Sequence, residues 1–155
     1  MDTVKLSRLL DIARKQLGVK EETGNNDGEP SRRYAGGRKE PWCAHFVAWL
    51  YRNVNSGIPG DIIPTEKQHN PLASVTFMEQ VFKDHDWHYR EPKPGDVVFF
   101  ATRGQSDAGR GRHCGIVEMV DSKHFSTIEG NLSNSVRRVT HSLDSLRVTG
   151  FGRMP

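Results

Sequence analysis

The chain has 155 residues and a mass of 17.5 kDa; it is 35% apolar and 26% charged, with 22 basic and 19 acidic residues giving a net charge of +3. Together with 15 glycines, that composition suits one globular domain over residues 1–155 and excludes a collagen-like, coiled-coil or wholly disordered chain. The arginines at 103, 110 and 112 and at 137 and 138 form no concentrated stripe, and no apolar run approaches the ~18 residues of a membrane span, so neither a nucleic-acid partner nor membrane insertion is expected.

Leu6, Leu9, Leu10, Ala13 and Leu17 recur at helical spacing before Gly18 and predict a helix over residues 3–17. The same segment, MDTVKLSRLLDIARKQLG, is interrupted by charges and lacks the continuous apolar stretch of a secretory signal. Residues 18–40 are rich in Gly, Asn, Asp and Glu and read as a loop of a length that is often functional. Pro41 then opens the apolar segment WCAHFVAWLYRN, with Cys43, Val47, Leu50 and Val54 on one stripe and Phe46 beside it, which predicts a helix with proline near its first turn. Residues 55–73, with Pro59, Pro64 and Pro71, read as a second loop, after which Ser74 caps a short helix carrying Phe77, Met78, Val81 and Phe82.

After Pro92 and Pro94 the period falls from 3.6 to 2. Residues 96–101 predict a buried strand, 103–112 a Gly-rich polar turn, and 113–120, 125–129, 135–140 and 148–153 four further strands. Helices followed by short strands with hairpin-length turns indicate an α+β fold with an antiparallel sheet.

The two cysteines, Cys43 and Cys114, form no disulfide framework. Cys43 falls in the first turn of a helix, where unpaired N–H groups and the macrodipole favour the reactive thiolate. There it is held rigidly and faces outward. His113 begins a strand after a Gly/Arg-rich turn, at a sheet rim from which its ring reaches over a helix end as a base for the thiol. The following strand closes with Ile128-Glu129-Gly130-Asn131, so Glu129 or Asn131 lies beside His113. Either accepts the imidazole Nδ1–H and fixes the tautomer. Taken singly, Cys43 competes with a buried structural cysteine and His113 with a surface or capping histidine; their order along the chain is more specific than either alone.

PWCAHFVAWL, PGDVVFF, HCGIV, IEGN and the closing GFGRMP together resemble the CHAP branch of the NlpC/P60-type papain-like cysteine hydrolases. The resemblance runs from about residue 13 to residue 155 and implies a papain-like α+β fold, with N-terminal helices packed on an antiparallel sheet. The implied activity is cleavage of peptidoglycan amide bonds, as an N-acetylmuramoyl-L-alanine amidase or as an endopeptidase on the stem peptide or cross-bridge. It makes Cys43 the nucleophile, His113 the base and Glu129 the orienting residue, with Asn131 at a polar position the family often keeps in the site. GNNDG and Tyr34 look like a single-domain subgroup of the family.

Cys114 departs from the small aliphatic residue usual in such strands; alternation puts it on the face opposite His113, as a core residue unsuited to a disulfide with Cys43. Some relatives carry a calcium loop before the nucleophile. Here residues 21–30 hold only Glu21, Glu22, Asp27 and Glu29 and miss the twelve-residue EF-hand pattern, so no cofactor is expected, with calcium as the alternative. The oxyanion is expected at the Cys43 backbone N–H plus a second donor, for which Asn25, Asn26 and Tyr34 are candidates. Trp42 is a candidate cleft wall, with Asn25, Asn26 and Tyr34 as further substrate-binding candidates. Trp49 and His45 read as packing residues, and His85, Asp86 and His88 as a solvated turn.

The expected partner is therefore peptidoglycan. The alternatives are a related cysteine enzyme, a transamidase, deamidase or protease-like toxin acting on protein or peptide, and a non-catalytic wall-binding module, which would have no need of a nucleophile, base and acceptor. Without a secretory signal, delivery to the periplasm or cell wall is expected through phage lysis or a specialised secretion machine, the latter with an immunity protein as a further partner.

Overall fold

The structure, a computed structural model, describes residues 1–57, 74–102 and 112–155. Most of the predicted 55–73 loop and of the 103–112 turn, including Arg103 and Arg110, lies outside the described residues. Four helices precede six strands among the described residues: α1 (Thr3–Lys15), α2 (Glu29–Arg33), α3 (Cys43–Arg52), α4 (Val75–Asp84), β1 (His88–Tyr89), β2 (Val97–Phe100), β3 (His113–Val120), β4 (His124–Leu132), β5 (Ser135–Ser142) and β6 (Val148–Gly152). The strands form one antiparallel sheet in the order β1-β6-β2-β3-β4-β5. This is the α+β arrangement expected from the change of period.

The element ends follow local chemistry. Asp2 caps α1 by accepting from the Lys5 N–H at 2.8 Å, and Ser74 caps α4 by accepting from the Phe77 N–H at 3.3 Å. Helix α1 stops at Lys15, two residues before its predicted end, because the Gly18 N–H turns out to the Val136 carbonyl on β5. Inside the predicted 18–40 loop, α2 forms one turn, with Pro30 near its start and Glu29 paired to Arg33 at 2.8 Å. Strands β4 and β5 each run further than their predicted spans.

The sheet is buried on both faces. Leu9, Ala13, Phe46, Val47, Leu50, Met78 and Phe82 from the helices cover Val97, Phe99, Cys114, Ile116 and Ile128 on one face. Val98, Phe100, Val117, Phe125 and Phe151 form a smaller apolar layer on the other. Double burial explains why β2 reads VVFF without alternation. Helix α3 is buried nearly all round and packs against β3 and β4. Its close approach requires Gly130 in β4, where an added Cβ would stand 2.7 Å from the Cβ of Phe46.

Two buried carboxylates tie distant segments to this frame. Asp96, in the turn before β2, accepts from Arg153 Nε at 2.9 Å and from its Nη2 at 2.8 Å, so PGD and GFGRMP are two halves of one contact. Glu118 on β3 accepts from Arg14 of α1 and Arg138 of β5, each at 2.7 Å. One reading of local polarity is corrected. The turn at 85–88 is not simply solvated: His88 Nε2 lies 3.0 Å from the buried Glu79 and His85 Nδ1 lies 2.8 Å from the Val81 carbonyl, because a buried carboxylate and an open helix carbonyl both demand donors. His45, read as a packing residue, is buried and paired to Glu40 at 2.6 Å. No helix among the described residues is long and apolar enough to cross a membrane.

Candidate active site

Helix α3 begins at Cys43 with Trp42 as its N-cap, and the Phe46 N–H closes the first turn on the Trp42 carbonyl at 2.8 Å. The N–H groups of the first turn therefore have no partner within the helix. That of Ala44 donates to the Cys43 sulfur. This end of α3 meets the start of β3, where His113 and Cys114 lie on opposite faces of the sheet. His113 pairs across to Phe100 and stacks on it, with centroids 6.0 Å apart, while Cys114 pairs to Phe99 on the helix side. At a strand end both side chains can reach Cys43, one around the rim and one directly, and the sulfur hydrogen-bonds both.

Glu129 supplies the next link: His113 Nε2 donates to its Oε2 at 2.7 Å. The carboxylate reaches the ring by lying across Gly115, where an added Cβ would come within 2.6 Å of Glu129 Cγ. The nitrogen bonded is Nε2, not the expected Nδ1, because Glu129 meets the outer end of the ring. Glu129 Oε1 is filled as well, by the Thr127 hydroxyl at 2.5 Å and by His141 Nε2 at 2.7 Å.

The charges follow from these bonds. The Cys43 thiol lies well below its ordinary value because Cys114 donates to the sulfur, against the cost of burial, with further help from the His113 bond and charge and the Ala44 N–H. Burial alone would depress His113, but its bonds to Cys43 and Glu129 outweigh that and raise it to about 9. Burial would likewise raise Glu129, yet the bonds from His113 and His141 bring it down to about 2. The Cys114 thiol is pushed well up by burial and by its neighbour's negative sulfur. The arrangement favours a thiolate beside an imidazolium that is held by a carboxylate.

The other predicted residues fall elsewhere. Asn131 does not bond His113: its amide donates to Glu21 Oε1 at 3.2 Å and accepts from the Trp42 backbone N–H at 3.3 Å. The indole of Trp42 is fully buried and donates to Glu21 Oε1 at 2.7 Å. Trp42 is therefore not a wall of an open cleft; an indole N–H beside a buried carboxylate is drawn inward. Tyr34 is also buried, stacked on Trp42 at 5.5 Å and donating to Gln16 at 2.9 Å, so its hydroxyl is no oxyanion donor. The side chain of Asn25 donates to Thr23 at 3.0 Å, and the backbone N–H of Asn26 to Glu21 at 3.0 Å. Of the loop carboxylates, Glu21 is occupied by these contacts and Asp27 accepts from Thr23.

Two expectations about sulfur are corrected. Cys43 does not face outward: only 6% of it is exposed, because α3 is enclosed by α1, α4 and the sheet. Cys114 is the buried residue expected, and both cysteines are free, but the alternation that separates it from His113 brings it to Cys43. His141 and Thr127 were not legible in the sequence; only the β4–β5 register, with Phe125 opposite His141 and Thr127 opposite Val139, aligns them with Glu129.

Comparison with known proteins agrees with the resemblance read from the sequence. The CHAP domain family model matches residues 34–131. The crystal structure of Ly7917 is similar, at 19% identity and a TM-score of 0.62 over 97% of this chain and 62% of that one. A structure of Ly7917 with the hydrolyzing product of MDP gives 17% identity and a TM-score of 0.63 over the same shares. An NLP/P60 family protein, similar to lipoprotein, from Staphylococcus aureus subsp. aureus Mu50 gives 14% identity and a TM-score of 0.53 over 99% of this chain and 42% of that one. The chain thus spans less than two thirds of the length of these neighbours. No curated protein matches it.

Proposed function

The chain belongs to the CHAP domain family, and on that premise we propose that it is a cysteine hydrolase that cleaves amide bonds in bacterial peptidoglycan, either at the muramoyl–L-alanine link or within the stem peptide or cross-bridge. Cys43 is the nucleophile, His113 the proton carrier and Glu129 the residue that orients it. The observation that carries this reading is the continuous chain of hydrogen bonds from the Cys43 sulfur through His113 to Glu129, the last at 2.7 Å.

The mechanism begins from the thiolate–imidazolium pair. The Cys43 thiolate attacks the amide carbonyl carbon, and the carbonyl π electrons move to oxygen. The backbone N–H of Cys43, at the open start of α3, receives that oxyanion. His113 Nδ1 gives its proton to the amide nitrogen, the C–N bond breaks and the amine leaves. His113, now neutral, takes a proton from water as the hydroxide oxygen adds to the thioester. Collapse expels the Cys43 thiolate and frees the acid. Glu129 stays ionised and stabilises the imidazolium in both halves. Asn131 and Glu21 support the site through the residue before the nucleophile.

The test is turbidity loss of purified sacculi, with mass spectrometry of the fragments. Free muramic-acid lactyl termini identify an amidase; new stem-peptide or bridge termini identify an endopeptidase. C43A is expected to be inert, whereas C114S retains activity because serine keeps a hydroxyl donor toward Cys43. Intact sacculi alongside cleavage or transfer on a protein substrate would overturn the wall assignment, favour the transamidase or deamidase reading and leave the nucleophile unchanged.

A further inference from the structure

The non-helical face of the sheet is an apolar layer of Val98, Phe100, Val117, Phe125 and Phe151, yet it contains a connected polar group. His141 enters it from β5, its ring held between Phe100 and Phe125 with centroids 4.7 and 5.1 Å away. Its Nε2 stands 2.7 Å from Glu129 Oε1 and 3.1 Å from the Thr127 hydroxyl. A histidine is costly in such a layer unless its N–H has a partner, and the partner here is the carboxylate that holds His113.

We propose that His141 is a positioning residue for the Cys43–His113 pair: by donating Nε2–H to Glu129 Oε1 it leaves Oε2 as the acceptor aimed at His113. The proposal rests on the nucleophile–base reading above and extends the triad by one strand. A carboxylate free on one oxygen can rotate about its last bond and exchange which oxygen faces the imidazole. With Thr127 and His141 on Oε1 that freedom is gone, and the two aromatic rings keep the His141 donor in plane. The donors also keep the buried carboxylate ionised. The titratable groups around it among the described residues are His113 and Cys114 from β3 and His141 from β5. Arg137 stands opposite in β5 with its guanidinium bonded to Ser135, and Arg147 lies over Phe100 at 5.8 Å. Without the His141 donor, Glu129 takes up a proton more readily, its hold on the imidazolium weakens, and the Cys43 thiolate loses its counter-charge at mildly acidic pH.

The experiment follows Cys43 itself and needs no substrate. The rate of Cys43 alkylation by iodoacetamide, identified by peptide mass, is measured against pH in the wild type, H141F and H141Q. The wild type is expected to react as a thiolate at pH 6. H141F, which fills the aromatic slot without a donor, moves the acid limb up by about one unit, so that alkylation below the wild-type midpoint slows about tenfold. H141Q, which keeps a neutral N–H donor, recovers most of that loss. Long-range ¹⁵N NMR of the unmodified protein should show a proton on His141 Nε2. A folded H141F with the wild-type alkylation profile, or a His141 protonated on Nδ1 alone, overturns the proposal. Should H141F not fold, the wild-type tautomer and the H141Q profile decide it. A wild-type Cys43 without thiolate reactivity at neutral pH would instead overturn the nucleophile reading itself.

Discussion

At the scale of single residues, the charged forms of Cys43 and His113 favour each other, with the Cys114 hydrogen bond the larger support for the Cys43 thiolate. Neither ordinary value would produce the pair: a free thiol is protonated at neutral pH and a buried imidazole prefers to be neutral. On the proposed mechanism His113 is the general acid, so loss of its proton ends that supply. With His113 raised to about 9, kcat/KM on a soluble muropeptide is expected to hold through neutral pH and fall as pH rises through 9. Glu129 works at the other limit. Lowered from 4.5 to about 2, it adds stability that is complete above its unfolded value and lost as pH falls through its folded one. Urea midpoints measured from pH 5 to pH 2 should decline in the wild type. E129Q should decline less over that range while already starting lower, because a buried site built for a charge is left with a neutral amide.

At the scale of elements, the four residues of IEGN each serve a different neighbour. Ile128 lies in the core beneath the helices, Glu129 holds His113 on the far face, Gly130 admits Phe46, and Asn131 turns back to the N-cap of α3 at φ 57°. The placement of α3 on β4 therefore sets the distance from Cys43 to the start of β3. G130A puts a methyl 2.7 Å from Phe46 Cβ, and overpacking of this kind costs about 1–3 kcal/mol. A thermal midpoint several degrees lower is expected by calorimetry, together with a slower Cys43 alkylation rate. An unchanged midpoint would show that α3 is free to retreat.

At the scale of the whole molecule, chain ends and helices are anchored by buried ion pairs that cross long sequence distances. The Asp96–Arg153 fork fastens the C-terminal segment to the turn before β2, with the Arg153 guanidinium 4.3 Å over the Tyr89 ring. Removing one member of such a pair leaves a buried charge uncompensated, at about 3–5 kcal/mol. R153M should lower the urea unfolding free energy by about that amount, whereas D96N/R153M should recover part of it. Equal losses in the single and double variants would mean that the contact is packing alone.

The sequence by itself determined the fold class, the helix that begins near Pro41, the strand that begins at His113 and the candidate pair of Cys43 and His113. Local periodicity and the chemistry of helix starts carry that information over short distances. It left Glu129 and Asn131 as equal partners for His113, placed Trp42 and Tyr34 in a cleft, and was silent on His141. Those matters were decided only by tertiary structure. Which polar atom a buried carboxylate meets depends on strand register and on how closely α3 settles over Gly130. Both are set by contacts between residues far apart in the chain, and no local pattern encodes them.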